Sequence, residues 1–162
     1  MMTIINDELF GELEYKNNFW RGKTTIKMFD LEKEIILSVD ADESANFSSV
    51  QKDAFSKFNQ NMKKIIEDAE IQIYDYYNEN YQEYREMLEY DPEIDKIAPE
   101  IDSISDLKKL VKPTELIVRR VRRSKGRRLG LLCNASWNIE DGLGIKIEDE
   151  LVEEVGYQDN IL

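Results

Sequence analysis

The sequence predicts an α+β fold: an N-terminal β-meander, a long central helix, C-terminal antiparallel β-strands, and helices packed on one sheet face. Three observations predict it. Apolar and polar residues alternate with period two through the first 41 residues. From Ser48 the spacing turns helical, and between Ser49 and about Tyr90 there is neither Gly nor Pro. Period two then returns from Thr114 to Val155. A chain of 162 residues fits this plan as one domain, 1–162, with a sizeable core.

In the meander, Leu9, Gly11, Leu13 and Tyr15 alternate with Phe10, Glu12 and Glu14. Lys16-Asn17-Asn18 supplies a turn. Trp20, Gly22, Thr24, Ile26 and Met28 then alternate with Arg21, Lys23, Thr25 and Lys27, giving one polar face. A polar link over 30–33 leads to a third strand over 34–41.

Ser48 and Gln51 match a capping box. Phe55, Phe58, Met62, Ile66, Ala69 and Ile73 follow on one helical stripe, which Tyr77, Tyr81, Tyr84 and Leu88 continue. One unbroken helix here would be about 60 Å long, more than such a domain needs. The spacing therefore predicts a break near Asn78-Glu79-Asn80, at 78–80, and a second helix beyond it.

Two prolines mark 90–103 as a loop, and Ser105 is expected to cap a short helix ending before Pro113. The predicted strands that follow cover 114–123 and 127–137, joined at Ser124-Lys125-Gly126. Leu129, Leu131, Cys133, Ala135 and Trp137 share one face of the second strand. Asp141-Gly142 is a turn signal, and 143–149 with 150–155 form the last hairpin.

Composition narrows the function. The net charge of −12 disfavours a generic nucleic-acid or anionic-membrane binder and suits a basic partner. There is no histidine, which removes the commonest general base and every His-containing zinc site. A single cysteine, Cys133, rules out an internal disulfide and fits a reducing compartment. No signal-peptide pattern opens the chain, and no run approaches the roughly 20 apolar residues of a membrane span. The expectation is a soluble cytoplasmic protein with no cofactor, no metal and no membrane partner.

Two charge constellations stand out. Residues 67–91 hold nine carboxylates and one base, Arg85. On a helical projection Asp75, Glu79, Glu83 and Glu86, with Asp68, fall within about 80° of one another, opposite the tyrosines. Like charges at i,i+4, as in Asp75/Glu79/Glu83, cost helix stability, so the face is a candidate partner-binding ridge. The alternative is an ordinary solvated face. The second constellation is basic. Arg119, Arg120, Arg122, Arg123, Lys125, Arg127 and Arg128 form a segment, 119–128, without an acid. With a two-residue loop at Lys125-Gly126, Arg123 faces Arg128, and the compensating anions are either the protein's own carboxylates or phosphates of RNA or a nucleotide. The inward face is open between Ile117/Val121 and Leu116/Val118.

Weaker candidates fail on pattern. Asp40, Asp42 and Ser44 begin like a calcium loop, but Ala45 and Gln51 stand where Gly and Glu are needed. Glu89, Asp91, Glu93 and Asp95 read as a solvated loop. Glu140 and Asp141 beside Trp137 are the nearest approach to an acid/base pair, yet adjacent turn residues have no reason to keep a glycosidase separation.

The stretch W-N-I-E-D-G-L-G-I-K-I from Trp137, with V-G-Y-Q-D-N-I-L from Val155, resembles the C-terminal signature of an uncharacterised bacterial domain family. Residues 10–23, FGELEYKNNFWRGK, and the tyrosine-rich helix are similar to it as well. The family resembles proteins found near toxin and immunity genes, which implies a non-catalytic partner-binding role; it assigns no catalytic residues. The leading expectation is a non-enzymatic binding protein, immunity- or antitoxin-like, that recognises a basic protein. Its rivals are an RNA or nucleotide binder acting through 119–128 and a carboxylate-dependent hydrolase.

Overall fold

The computed structural model describes residues 3–120 and 126–161. Eight strands form one sheet in chain order. β1 (Ile4–Asp7), β2 (Gly11–Lys16), β3 (Phe19–Met28) and β4 (Leu31–Asp40) make one antiparallel meander. β5 (Val111–Val118), β6 (Arg128–Ala135), β7 (Leu143–Glu148) and β8 (Leu151–Gly156) make another. The halves join by a parallel pairing of β4 with β5, from Ile36 opposite Glu115 to Val39 opposite Val118. Parallel neighbours need a long crossover. Here it carries α1 (Ser49–Gln60), α2 (Met62–Met87), α3 (Ile94–Ile97) and a 3-10 helix (Ile104–Lys109). A final turn of helix, α4 (Gln158–Ile161), follows β8. The α+β class and the order of meander, central helix and C-terminal strands are as the sequence predicts.

Three hairpins turn on two residues at positive φ: Asn17-Asn18, Phe29-Asp30 and Asp149-Glu150. Such primed turns match the twist of the strands they join. Phe29 is a costly choice there. Its ring is buried in the core, and its amide donates to Glu70 Oε2 at 2.8 Å. The expected link over 30–33 is therefore strand from Leu31 on. β1 is an addition to the predicted meander. Leu9 and Phe10, read as strand, lie in its turn, where both amides donate to Asp7 Oδ2 at 2.9 Å.

The predicted capping box starts α1. The Gln51 amide donates to Ser48 Oγ and the Ser48 amide to Gln51 Oε1, each at 3.1 Å. Gln51 Nε2 also donates to the Asp40 carbonyl at 2.8 Å, tying the helix start to the end of β4.

The helix does break, but at Asn61 and not at 78–80. Asn61 adopts φ −113°, ψ 17°, and α2 then runs without interruption to Met87. Two asparagines cost about 1.4 kcal/mol of helix propensity. Fully burying tyrosines such as Tyr77 and Tyr84, on either side of them, outweighs that. Asn80 further bonds the helix itself, donating to the Tyr76 carbonyl at 2.7 Å. The 3-10 helix is capped by Ser103, not Ser105: Asp106 Oδ2 accepts from the Asp102 and Ser103 amides at 3.0 and 3.2 Å.

One core lies between the helices and one sheet face. Trp20, Leu37, Val39, Leu116, Val118, Leu131, Cys133 and Ile145 meet Phe58, Ile66, Ala69, Ile73 and Tyr77 in it. This settles β5 in favour of Leu116 and Val118 facing the helices. Ile117 is buried on the other face, opposite Gly130 and Ser38. That far face is crossed by charged side chains, and buried Ser38 donates to Glu115 Oε2 at 2.5 Å.

β2 pairs with β3 only from Glu14 opposite Arg21 to Lys16 opposite Phe19. Beyond that point β2 leans across Gly22. A Cβ there would lie 2.5 Å from the Glu12 carbonyl oxygen, so glycine is what lets the strands approach. Leu13 goes fully into the core as a result, and Phe10 packs its ring 5.2 Å from that of Phe55.

Candidate functional site

α2 holds one buried and one open face. Tyr77 and Tyr84 are buried and Tyr81 half-buried, whereas Asp75, Glu79, Glu83 and Glu86 are all exposed. Asp68 is half-buried at the start of the ridge. Among the described residues none of the four ridge carboxylates makes an ion pair. Arg85, the lone base of the stretch, is turned away. Its guanidinium donates to the Ala98 carbonyl at 2.9 Å and to Asp95 Oδ1 at 3.0 Å. It anchors the loop after α2 and leaves the ridge uncompensated.

The tyrosine face is anchored by polar tips as well as by rings. Tyr77 donates to the Pro99 carbonyl at 2.6 Å and packs 4.7 Å from the Trp137 ring centroid. Burial pushes its phenol far above the ordinary range. Tyr84 lies 6.2 Å from Trp137, and burial lifts its phenol to about 12, with Tyr76 adding to the rise. The Tyr76 and Tyr84 hydroxyls are 3.3 Å apart, and neighbouring Tyr84 raises the Tyr157 phenol above its ordinary value. Tyr157 also feels the charge of Glu83, so the C-terminal segment borders the ridge.

The C-terminal stretch from Trp137 to Gln158 is built around the same contacts. Gly142 has φ +62° and sits where a Cβ would be 2.5 Å from Gln158 Nε2. Gln158 Nε2 in turn donates to the Cys133 carbonyl at 3.1 Å, and its amide meets the Asp141 carbonyl at 3.3 Å. Trp137, Gly142, Tyr157 and Gln158 thus lock the end of the chain against β6 and α2. Cys133 lies beneath, fully buried, and burial raises its thiol to about 12. Glu140 and Asp141 are exposed; the Asp141 amide donates to Asn138 Oδ1 at 3.1 Å and closes the turn.

The basic segment is compensated internally where it is described. Arg120 Nε donates to Asp40 Oδ1 at 2.9 Å. Arg127 binds Glu150 with two bonds, at 2.7 and 2.8 Å, and reaches Asp149 at 3.5 Å. Arg128 lies 3.7 Å from Glu148. The Arg119 amide donates to the Arg128 carbonyl at 2.9 Å, continuing the register of Val118 with Leu129. Arg128 is therefore opposite Arg119 and not Arg123; β5 ends at Val118, five residues earlier than the period-two reading predicts. Val121, Arg122, Arg123 and Lys125 lie outside the described residues.

The 89–95 acids are spread over local contacts. Asp91 Oδ1 accepts from the Glu93 amide at 2.8 Å, Glu93 pairs with Lys96 at 3.1 Å, and Asp95 holds Arg85. Among the described residues no helix is long and apolar enough to cross a membrane. Sequence reasoning missed Glu70, whose carboxylate fastens the β3–β4 turn to α2, and Gln158. The glutamine was legible only as part of the signature stretch.

The class is an α+β fold on a single eight-stranded sheet with a tyrosine-lined long helix. The chain belongs to the family DUF6985, described as a domain of unknown function, whose model matches residues 9–162. No curated protein and no solved structure matches it.

Proposed function

We propose that this domain is a non-catalytic cytoplasmic binding protein, immunity- or antitoxin-like, that recognises a basic protein through Asp75, Glu79, Glu83 and Glu86. The observation that carries the reading is an asymmetry. The ridge carboxylates have no cation of their own among the described residues, while Arg120, Arg127 and Arg128 are engaged by Asp40, Glu148, Asp149 and Glu150. A ridge whose i,i+4 repulsions go unrelieved is stabilised when a cationic surface covers it. Arginines already bound by carboxylates must first give them up to bind phosphate, which weighs against RNA or nucleotide at 119–128.

Capture from a native lysate of bacterial origin tests the reading. The native domain should retain one stoichiometric basic protein, and a Glu79→Lys/Glu83→Lys bait should lose it. Retention of nucleic acid alone, or the same protein on both baits, would overturn the proposal.

A further inference from the structure

The parallel seam between β4 and β5 does not close along its whole length. Its pairs run from Ile36 with Glu115 to Val39 with Val118, although β4 begins at Leu31 and β5 at Val111. Two local features keep the strands apart before Ile36. Pro113 has no amide hydrogen to give to a neighbour. The register of β5 on β6 also slips between Pro113 and Glu115, leaving Thr114 as the extra residue of a bulge. Thr114 turns its hydroxyl to the β6 side and donates to the Leu132 carbonyl at 3.1 Å. Beside the parted strands lies a cavity of about 130 Å³.

Its walls are apolar and its charges are all of one sign. Met28, Phe29, Val111 and Pro113 line it and are buried, and exposed Leu31 completes the apolar wall. The charged side chains on it are Lys33, Lys108 and Lys112, and among the described residues no acid lines it. All three lysines are exposed, and among the described residues none makes an ion pair. The carboxylates nearest in sequence are engaged elsewhere. Glu34 pairs with Lys23 at 3.6 Å, Glu32 stands in register opposite Lys27, and Asp106 Oδ2 accepts from the Asp102 and Ser103 amides. Three ammonium groups gathered without an anion repel one another, and a bound anion relieves that repulsion. An apolar cavity of about 150 Å³ takes one benzene ring, so this one suits a single ring or a branched aliphatic group.

We propose that this cavity binds a small organic anion: a ring or branched aliphatic body seated among Met28, Phe29, Val111 and Pro113, and a carboxylate or phosphate head held by Lys33, Lys108 and Lys112. Lysine ammoniums are point charges on flexible stems, so they follow a head of either shape, while the apolar walls set the size of the body. An uncharged ligand leaves the lysines unanswered, and a bare anion leaves the cavity unfilled. The site therefore selects molecules that carry both parts. It shares no residue with the ridge on α2 and stands whether or not the ridge binds a basic protein.

The test titrates the full chain with benzoate, phenyl phosphate, inorganic phosphate and benzyl alcohol, by calorimetry and amide-resolved NMR at low salt. Benzoate or phenyl phosphate should bind with a Kd of about 1 mM or below, despite the protein's net charge of −12. The amides that shift should be those of Leu31 to Lys33 and of Lys108 to Lys112. The tighter of the two ligands identifies the head as carboxylate or phosphate. Inorganic phosphate and benzyl alcohol, each lacking one part, should bind at least about tenfold more weakly. Lys33→Gln/Lys112→Gln removes two charges from exposed side chains and should weaken the anion about tenfold or more. Circular dichroism checks that the fold is kept, and Lys108→Gln, on a different element, should weaken binding too and serves if the first variant does not fold. Failure of both aromatic anions to bind, inorganic phosphate or benzyl alcohol binding as tightly as they do, or equal binding to the lysine variants would overturn the proposal.

Discussion

Gly142→Ala probes the locked C-terminus most sharply. Gly142 has φ +62°, a conformation that costs an alanine roughly 1–2 kcal/mol. The added Cβ would lie 2.5 Å from Gln158 Nε2 and 3.0 Å from the Cys133 carbonyl oxygen. Gln158 is flexible and can move, but only by giving up its bond to that carbonyl, worth about 1 kcal/mol. The sum is about 2–3 kcal/mol, which for a chain of this size lowers the melting temperature by about 4–12 °C. Urea denaturation of Gly142→Ala, Gln158→Ala and the double variant separates the two contributions. In the Gln158→Ala background the glycine change should cost about 1 kcal/mol less, because the clash and the bond are already gone. A Gly142→Ala cost under about 0.5 kcal/mol, or strictly additive variants, would refute the reasoning.

Three further outcomes follow from buried groups. Cys133, with its thiol raised to about 12 by burial, should react slowly with thiol reagents in native protein and fast in urea; rapid native labelling would contradict the register of β6. Tyr77→Phe should destabilise by about 1–2 kcal/mol, because the Pro99 carbonyl loses its donor while the ring still packs; unchanged urea stability would mean that bond contributes nothing. Burial raises the Glu70 carboxyl above its usual 4.5, so its ionised form costs stability at neutral pH, and that cost disappears as pH falls through the raised value. Glu70→Gln, which still accepts from Phe29, should therefore stabilise the protein at pH 7 and lose that advantage near pH 4; an equal effect at both would contradict the assignment.

Much of this was legible because the signals are local. Trp20, Ile26 and Met28 alternate with exposed lysines and threonine as period two requires, and the Ser48–Gln51 box marks the start of α1. Other features are decided by distant partners. Asn78 and Asn80 look like a break until Tyr77 and Tyr84 find Trp137, which lies more than fifty residues on. Asn61 is no stronger a helix breaker in sequence, yet it is where the chain bends. The parallel contact of β4 with β5 joins residues nearly eighty positions apart and leaves no local trace. For the basic segment, a two-residue loop was the simplest reading of Lys125-Gly126, but pairing of Val118 with Leu129 fixes the register from the core outward. The exposure of Asp75, Glu79, Glu83 and Glu86 followed from helical projection alone; the diversion of Arg85 to Ala98 and Asp95 did not.

The association rate with the captured basic protein, measured by stopped flow at low and high salt, tests the central claim most directly. Glu79→Lys/Glu83→Lys should leave urea stability within about 0.5 kcal/mol of native or raise it, since it relieves the repulsion among Asp75, Glu79 and Glu83. At low salt the variant should associate several-fold more slowly than native, and the two rates should converge as salt screens the ridge. Equal rates at low salt would contradict the account and leave the ridge a solvated helix face.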